Sequence, residues 1–130
     1  MGTAAVVLSD RITGRCSSHV VPGPSGGPTP TPGPLPFSAP LTTGLAATVV
    51  IGGKPAAVQG ANGINQPAHI GLHPSDPAQL ASAQQGRVVA GSATVFFDGR
   101  PAAFTGCKVT MCMGAPAKVA GTATTVLVAG

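Results

Sequence analysis

Three histidines and three cysteines carry most of the chemistry that this 130-residue sequence can offer. His19, His69 and His73 each sit in a glycine-, proline- or serine-rich stretch, and His69 and His73 are four residues apart. Cys112 follows in another loop-like stretch. Three imidazoles and one thiolate make a tetrahedral shell suited to zinc, and a shell filled by four protein donors is structural, because no open position remains for a substrate. Two more cysteines compete for a place in it: Cys16, three residues before His19, and Cys107, five before Cys112. The plainer alternatives are that the cysteines are small buried apolar groups, with Met111 a core filler beside them, and that the histidines are solvated. The spacing matches no compact zinc-finger pattern.

Other chemistry is sparse. There is no glutamate, and Asp10, Asp76 and Asp98 all lie in turn-like contexts, so paired carboxylates for acid–base work are missing. No serine has a strand–turn–helix nucleophile setting, and no glycine-rich stretch ends in the Lys-Ser or Lys-Thr of a phosphate loop. The chain is expected not to be an enzyme. The formal charge of +4 comes from scattered single residues: Arg11, Arg15, Lys54, Arg87, Arg100, Lys108 and Lys118. Without a basic stripe or stacking aromatics, a nucleic-acid partner is not expected. The opening residues lack the basic n-region of a secretory signal, and no run of 18 apolar residues exists to span a membrane. An odd cysteine count argues against a disulfide framework, so manufacture in the cytoplasm is expected.

The elements that must position these groups read as β structure. Large apolar residues are few, with four Phe and no Trp or Tyr, while Gly (19) and Pro (14) are abundant. Burying small side chains stabilises little per residue, so such a chain needs a staple. The segment Ala47-Thr-Val-Val-Ile-Gly-Gly-Lys-Pro-Ala-Ala-Val-Gln-Gly60 returns as Ala93-Thr-Val-Phe-Phe-Asp-Gly-Arg-Pro-Ala-Ala-Phe-Thr-Gly106, and a partial third copy, Thr124 to Gly130, ends the sequence. Each full copy is an apolar run, a Gly-Gly or Asp-Gly pair, and a second run, which is the form of a tight hairpin. Pro55 and Pro101 require that the returning arm put that position at an edge or outside the hydrogen-bonding pattern. The partial copy lacks a returning arm, and its strand is expected to complete an arrangement started elsewhere in the chain, with the N-terminal apolar run Ala4 to Leu8 as one candidate neighbour. Pro22 to Pro40 holds eight prolines in nineteen positions. It is expected to be an extended strap over a single domain spanning 1–130, anchored by Leu35, Phe37 and Leu41, with a free linker as the alternative. Residues 77–85 are expected to form about two helical turns, capped by Ser75 or Asp76.

These copies, TVVIGGKPAAVQG and GSATVFFDGRPAAFTG with ATTVLVAG at the end, resemble the proline–alanine–alanine–arginine repeat (PAAR) family, in its PAAR-like branch. Val58 and Phe104 stand at the arginine position, and Ala61 and Cys107 replace an aspartate that often follows. The opening residues 10–40 also look like the N-terminal segment of such proteins. The resemblance implies an all-β fold, a small cone of short β-hairpin repeats with pseudo-threefold symmetry, long Pro/Gly-rich loops and zinc near the vertex. It implies three histidines and one cysteine as ligands, here His19, His69, His73 and Cys112. The implied function is a structural spike tip that caps a homotrimeric spike protein, VgrG-like or phage-spike-like, in a contractile injection system (type VI secretion, extracellular injection particle or phage-like tail). Such a cap binds through its broad base, sharpens the spike to puncture a target membrane, accepts effector cargo in some members, and leaves the cell with the particle. The alternative is a zinc-stapled interaction module or cargo adaptor that caps no spike.

Overall fold

The near-duplicate segments fold back on themselves as their turns require. In this computed structural model, which describes residues 2–130 and only the backbone at Met113, strands β1 to β5 are Gly2–Ala5, Arg11–Cys16, Val20–Pro22, Pro28–Pro30 and Leu35–Pro40. Next come β6 (Val50–Ile51), β7 (Lys54–Pro55), β8 (Asn62–Ile64), β9 (Gln85–Ala90), β10 (Phe96–Phe97) and β11 (Arg100–Pro101). The last three are β12 (Lys108–Thr110), β13 (Pro116–Val119) and β14 (Ala123–Ala129). Ribbons β6–β7 and β10–β11 turn through Gly52-Gly53 and Asp98-Gly99, all four residues at positive φ (59°, 82°, 53° and 76°), as a two-residue hairpin turn needs. The last strand, β14, pairs with β1 at the N-terminus. Leu127 lies opposite Ala4 in the register that sets Val50 opposite Pro55 and Phe96 opposite Pro101.

The residues after these pairs join the three ribbons to one another. Val6 N–H donates to Ala103 O (3.3 Å), Ala103 N–H to Ala57 O (3.0 Å), and Ala57 N–H to Val6 O (2.8 Å), closing a ring. A second ring runs from Leu8 to Pro55 (2.9 Å), Gln59 to Pro101 (2.8 Å) and Thr105 to Ala4 (3.0 Å). Ser9, at φ 71°, takes the left-handed place that Gly60 and Gly106 take in the other arms. The returning arms alternate. Ala5, Ala56 and Ala102 face a smaller core with Ile51, Val58 and Val128, while Val6, Ala57 and Ala103 face a larger one. Three arms meeting around one ring leave room only for small side chains, which gives the repeated Pro-Ala-Ala a packing reason.

The segments before and between the repeats build the main sheet. Its order is β5-β2-β13-β12-β9-β8, antiparallel throughout. The two edges approach each other: Ser38 N–H donates to Asn65 Oδ1 (2.9 Å), and Gln66 N–H to Ser38 O (2.9 Å). The sheet is therefore a nearly closed barrel around Ile12, Phe37, Val88, Val109 and Val119. Backbone packing is close enough that a Cβ at Gly63 would run into the Pro40 carbonyl. Within the proline-rich segment, Val20–Pro22 pairs with Pro28–Pro30 as a small ribbon, and Leu35–Pro40 is the edge strand of the sheet. That is where proline does no harm to a ladder. The helix expected over 77–85 does not form. A single 3-10 turn at Ala81–Ala83 stands there, because the buried Gln84 amide binds the His69 and Ala78 carbonyls and holds the chain in a compact loop.

Candidate metal centre

Four donor atoms from three separate segments (Cys16 with His19, His69, and Cys112) converge inside the barrel end of the larger core. They belong to Cys16, His19, His69 and Cys112, all buried, and lie within 4.8 Å of one another. Cys16 ends β2, where its neighbour across the ladder is Leu35. Two residues on, the chain turns and places His19 before β3. Cys112 opens a 3-10 turn, Cys112–Gly114, closed by Met111 N–H to Ala115 O (2.8 Å). The Cys16 and Cys112 Sγ atoms are 3.0 Å apart, and Cys112 Sγ lies 3.8 Å from His69 Nε2. Donors of a tetrahedral zinc shell with bonds of about 2.0–2.3 Å stand roughly 3.3–3.8 Å apart, so shifts of about 1 Å would bring these atoms into such a shell.

The surrounding side chains orient the imidazoles. Asp76 accepts from His19 Nδ1 (3.1 Å), from Val20 N–H (2.9 Å) and from Ala78 N–H (2.8 Å). A carboxylate on Nδ1 puts the proton there and leaves Nε2 with a free lone pair. His19 Nε2 is the one buried side-chain N or O atom among the described residues without a partner. An orphaned buried nitrogen is costly unless a ligand completes it, and a metal ion is the ligand this donor set fits. Gln84, fully buried, receives His69 N–H (2.8 Å) and the Asn65 amide (3.0 Å) on its Oε1. Phe37 flanks the His69 ring and His19 meets it edge-on, the centroids 4.9 Å apart.

Burial dominates the electrostatics of these donors. Burial pushes the Cys16 thiol up, and burial together with the Cys16 contact pushes Cys112 far above the ordinary thiol range. Left alone both stay protonated, whereas a bound divalent ion supplies the charge that makes thiolates. Burial, then His19, lowers the His69 pKa and keeps the imidazole neutral, the form that binds metal. Burial opposes the charge on Asp76, but the two backbone donors and His19 more than offset it and hold the carboxyl below its usual range.

Of the residues that the sequence singles out, His19, His69 and Cys112 are brought together, and Cys16 stands with them. His73 is elsewhere. Its Nε2 is 3.0 Å from Gly26 O and its Nδ1 2.8 Å from Ser75 Oγ, so it ties the β3–β4 ribbon to the loop before Asp76. The fourth donor is therefore a second thiol and not a third imidazole, giving a Cys2His2-like cluster able to hold a metal ion. Cys107 is buried in the same core, outside the cluster. Sequence reasoning missed Asn65 and Gln84, and it read Asp76 only as a turn residue or helix cap. A charged or amide residue within a run of small residues was the one signal available. Residues 81–130 match the family model described as PAAR motif, a span that holds Cys112 but none of the other three donors. No curated protein matches the chain.

Proposed function

From a chain whose residues 81–130 carry a PAAR motif, we propose a structural tip that caps a homotrimeric β-helical spike in a contractile injection system, with zinc as the resident ion. The observation that carries this reading is the pair of backbone rings, Val6–Ala103–Ala57 and Leu8–Pro55, Gln59–Pro101, Thr105–Ala4. They relate three ribbons of one chain cyclically, which supports a cone with pseudo-threefold symmetry. A single chain of that symmetry can sit on a trimer without leaving two of its subunits mismatched. Zinc is favoured for the cluster because two thiols and two imidazoles are its usual structural donors. Cys16, His19, His69 and Cys112 would hold it, with Asp76 orienting His19, and the ion would lock three segments that share few large side chains. Four protein donors fill the shell, so the site holds structure and performs no turnover. The protein would be made in the cytoplasm and leave with the particle, and any effector cargo would ride on it.

The test is to mix the purified protein with the trimeric spike of its own injection system and measure the mass of the complex. One chain per spike trimer is expected. A complex with cargo but none with the spike would favour the zinc-stapled adaptor and sink the cap.

A further inference from the structure

Six large apolar side chains are strongly exposed among the described residues: Val50, Ile70, Leu80, Val89, Phe96 and Leu127. Scattered exposed apolar residues are ordinary, but three of these occupy one position. Val50 lies opposite Pro55, Phe96 opposite Pro101 and Leu127 opposite Ala4, each in its own ribbon. Their exposures are 59%, 54% and 65%. In each strand the next residue, Ile51, Phe97 or Val128, packs on the smaller core. Successive strand residues point to opposite faces, so the three exposed side chains lie on the far side of the ribbons from that core. Their cross-strand neighbours Pro55, Pro101 and Ala4 are half-buried and apolar as well. Each ribbon thus presents an apolar pair outward. The identity of the residue differs between ribbons while its apolar character does not, as expected where one kind of surface must be met three times.

We infer that Val50, Phe96 and Leu127 are the docking triad for a homotrimer, each side chain seated against the same apolar site on a different subunit. This rests on the cap reading and assigns its contacts. The backbone rings relate the three ribbons cyclically, so a partner with threefold symmetry would meet the three positions with one repeated surface. A monomeric partner would need three unlike surfaces to reach three like patches. Self-association through the triad would satisfy one patch per contact and leave the others in water. Phe96, the largest, is the main anchor, since aromatic side chains dominate such contacts.

The test puts the photo-cross-linking residue p-benzoylphenylalanine in place of Val50, Phe96 and Leu127, singly and together, in the full chain within the organism that makes it. Ile70 and Leu80 serve as control positions. Each single variant should cross-link to the same polypeptide, and the triple variant should carry up to three copies of it. In binding to that purified trimer, Phe96→Ser should weaken affinity by roughly 30-fold, and Val50→Ser and Leu127→Ser by about tenfold each. Adducts with three different polypeptides, adducts with a second copy of this chain, adducts from Ile70 or Leu80 alone, or none at all would overturn the triad. If the common partner is a homotrimer that is no spike, the triad stands and the cap reading falls. If the spike is caught from the control positions alone, the cap stands and the triad falls.

Discussion

The two ends of this molecule are held by different means. At the ribbon end, backbone hydrogen bonds close rings between three short arms, and the side chains beneath them are mostly Ala and Val. At the barrel end, a network of side chains (Asp76, Gln84 and Asn65) aims two imidazoles and two thiols at one point. Backbone rings tolerate change in any one side chain, provided that it is small enough or points outward. A four-donor cluster tolerates none, because each lost donor leaves the others unsatisfied. Substitutions should therefore act unevenly along the chain, severe at the cluster and mild in the ribbons.

The largest effect is expected at the donors. Cys16→Ala or Cys112→Ala should remove the metal and cost about 3 kcal/mol or more, a fall in Tm of roughly 12 °C or greater for a domain of this size. His73→Ala should leave the metal content unchanged and lower Tm by no more than about 4 °C. Thermal melts beside metal analysis decide it, and equal losses at Cys16 and His73 would break the contrast. Next comes Asp76→Asn, which removes the carboxylate behind His19 and should weaken zinc binding 10- to 100-fold in a competition with a chelating dye. In the ribbons, Gly99→Val forces a branched side chain to φ 76° and should cost about 1–2 kcal/mol with full metal content retained.

The smallest effect is the dependence on pH. The folded pKa of His69 lies below its ordinary value of 6.5, through burial first and His19 second. The unfolded chain then takes a proton that the folded chain refuses. Stability from this group is full above the ordinary value and falls as the pH drops below it. Chelated protein should melt lower at pH 5.5 than at pH 7.5. Metal-loaded protein should lose more over the same interval, since protons also compete for the donors.

This contrast also explains what could be read from residues alone. Hairpins at Gly52-Gly53 and Asp98-Gly99, and the pairing of the last strand with the first residues, follow from duplicated turns and a copy that lacks its second arm. The arm itself, Ala4 to Ser9, is hard to recognise as a repeat because it carries neither the proline nor the glycine of the other two. The six-stranded sheet was not legible. Its strands are short, Gly14 and Gly86 interrupt their alternation, and Pro36 and Pro116 disguise β5 and β13 as loops. Nor can spacing choose between Cys16 and His73 as a donor. Cys16 reaches the cluster because β2 pairs with β5 through to Leu35, and that pairing is set by contacts distant in sequence.

X-ray absorption at the zinc edge of the purified protein, read together with zinc per chain, tests the centre of this account most directly. One zinc per chain with two sulfur and two nitrogen neighbours is expected. One sulfur with three nitrogens, or a stable folded protein that binds no metal, would contradict it.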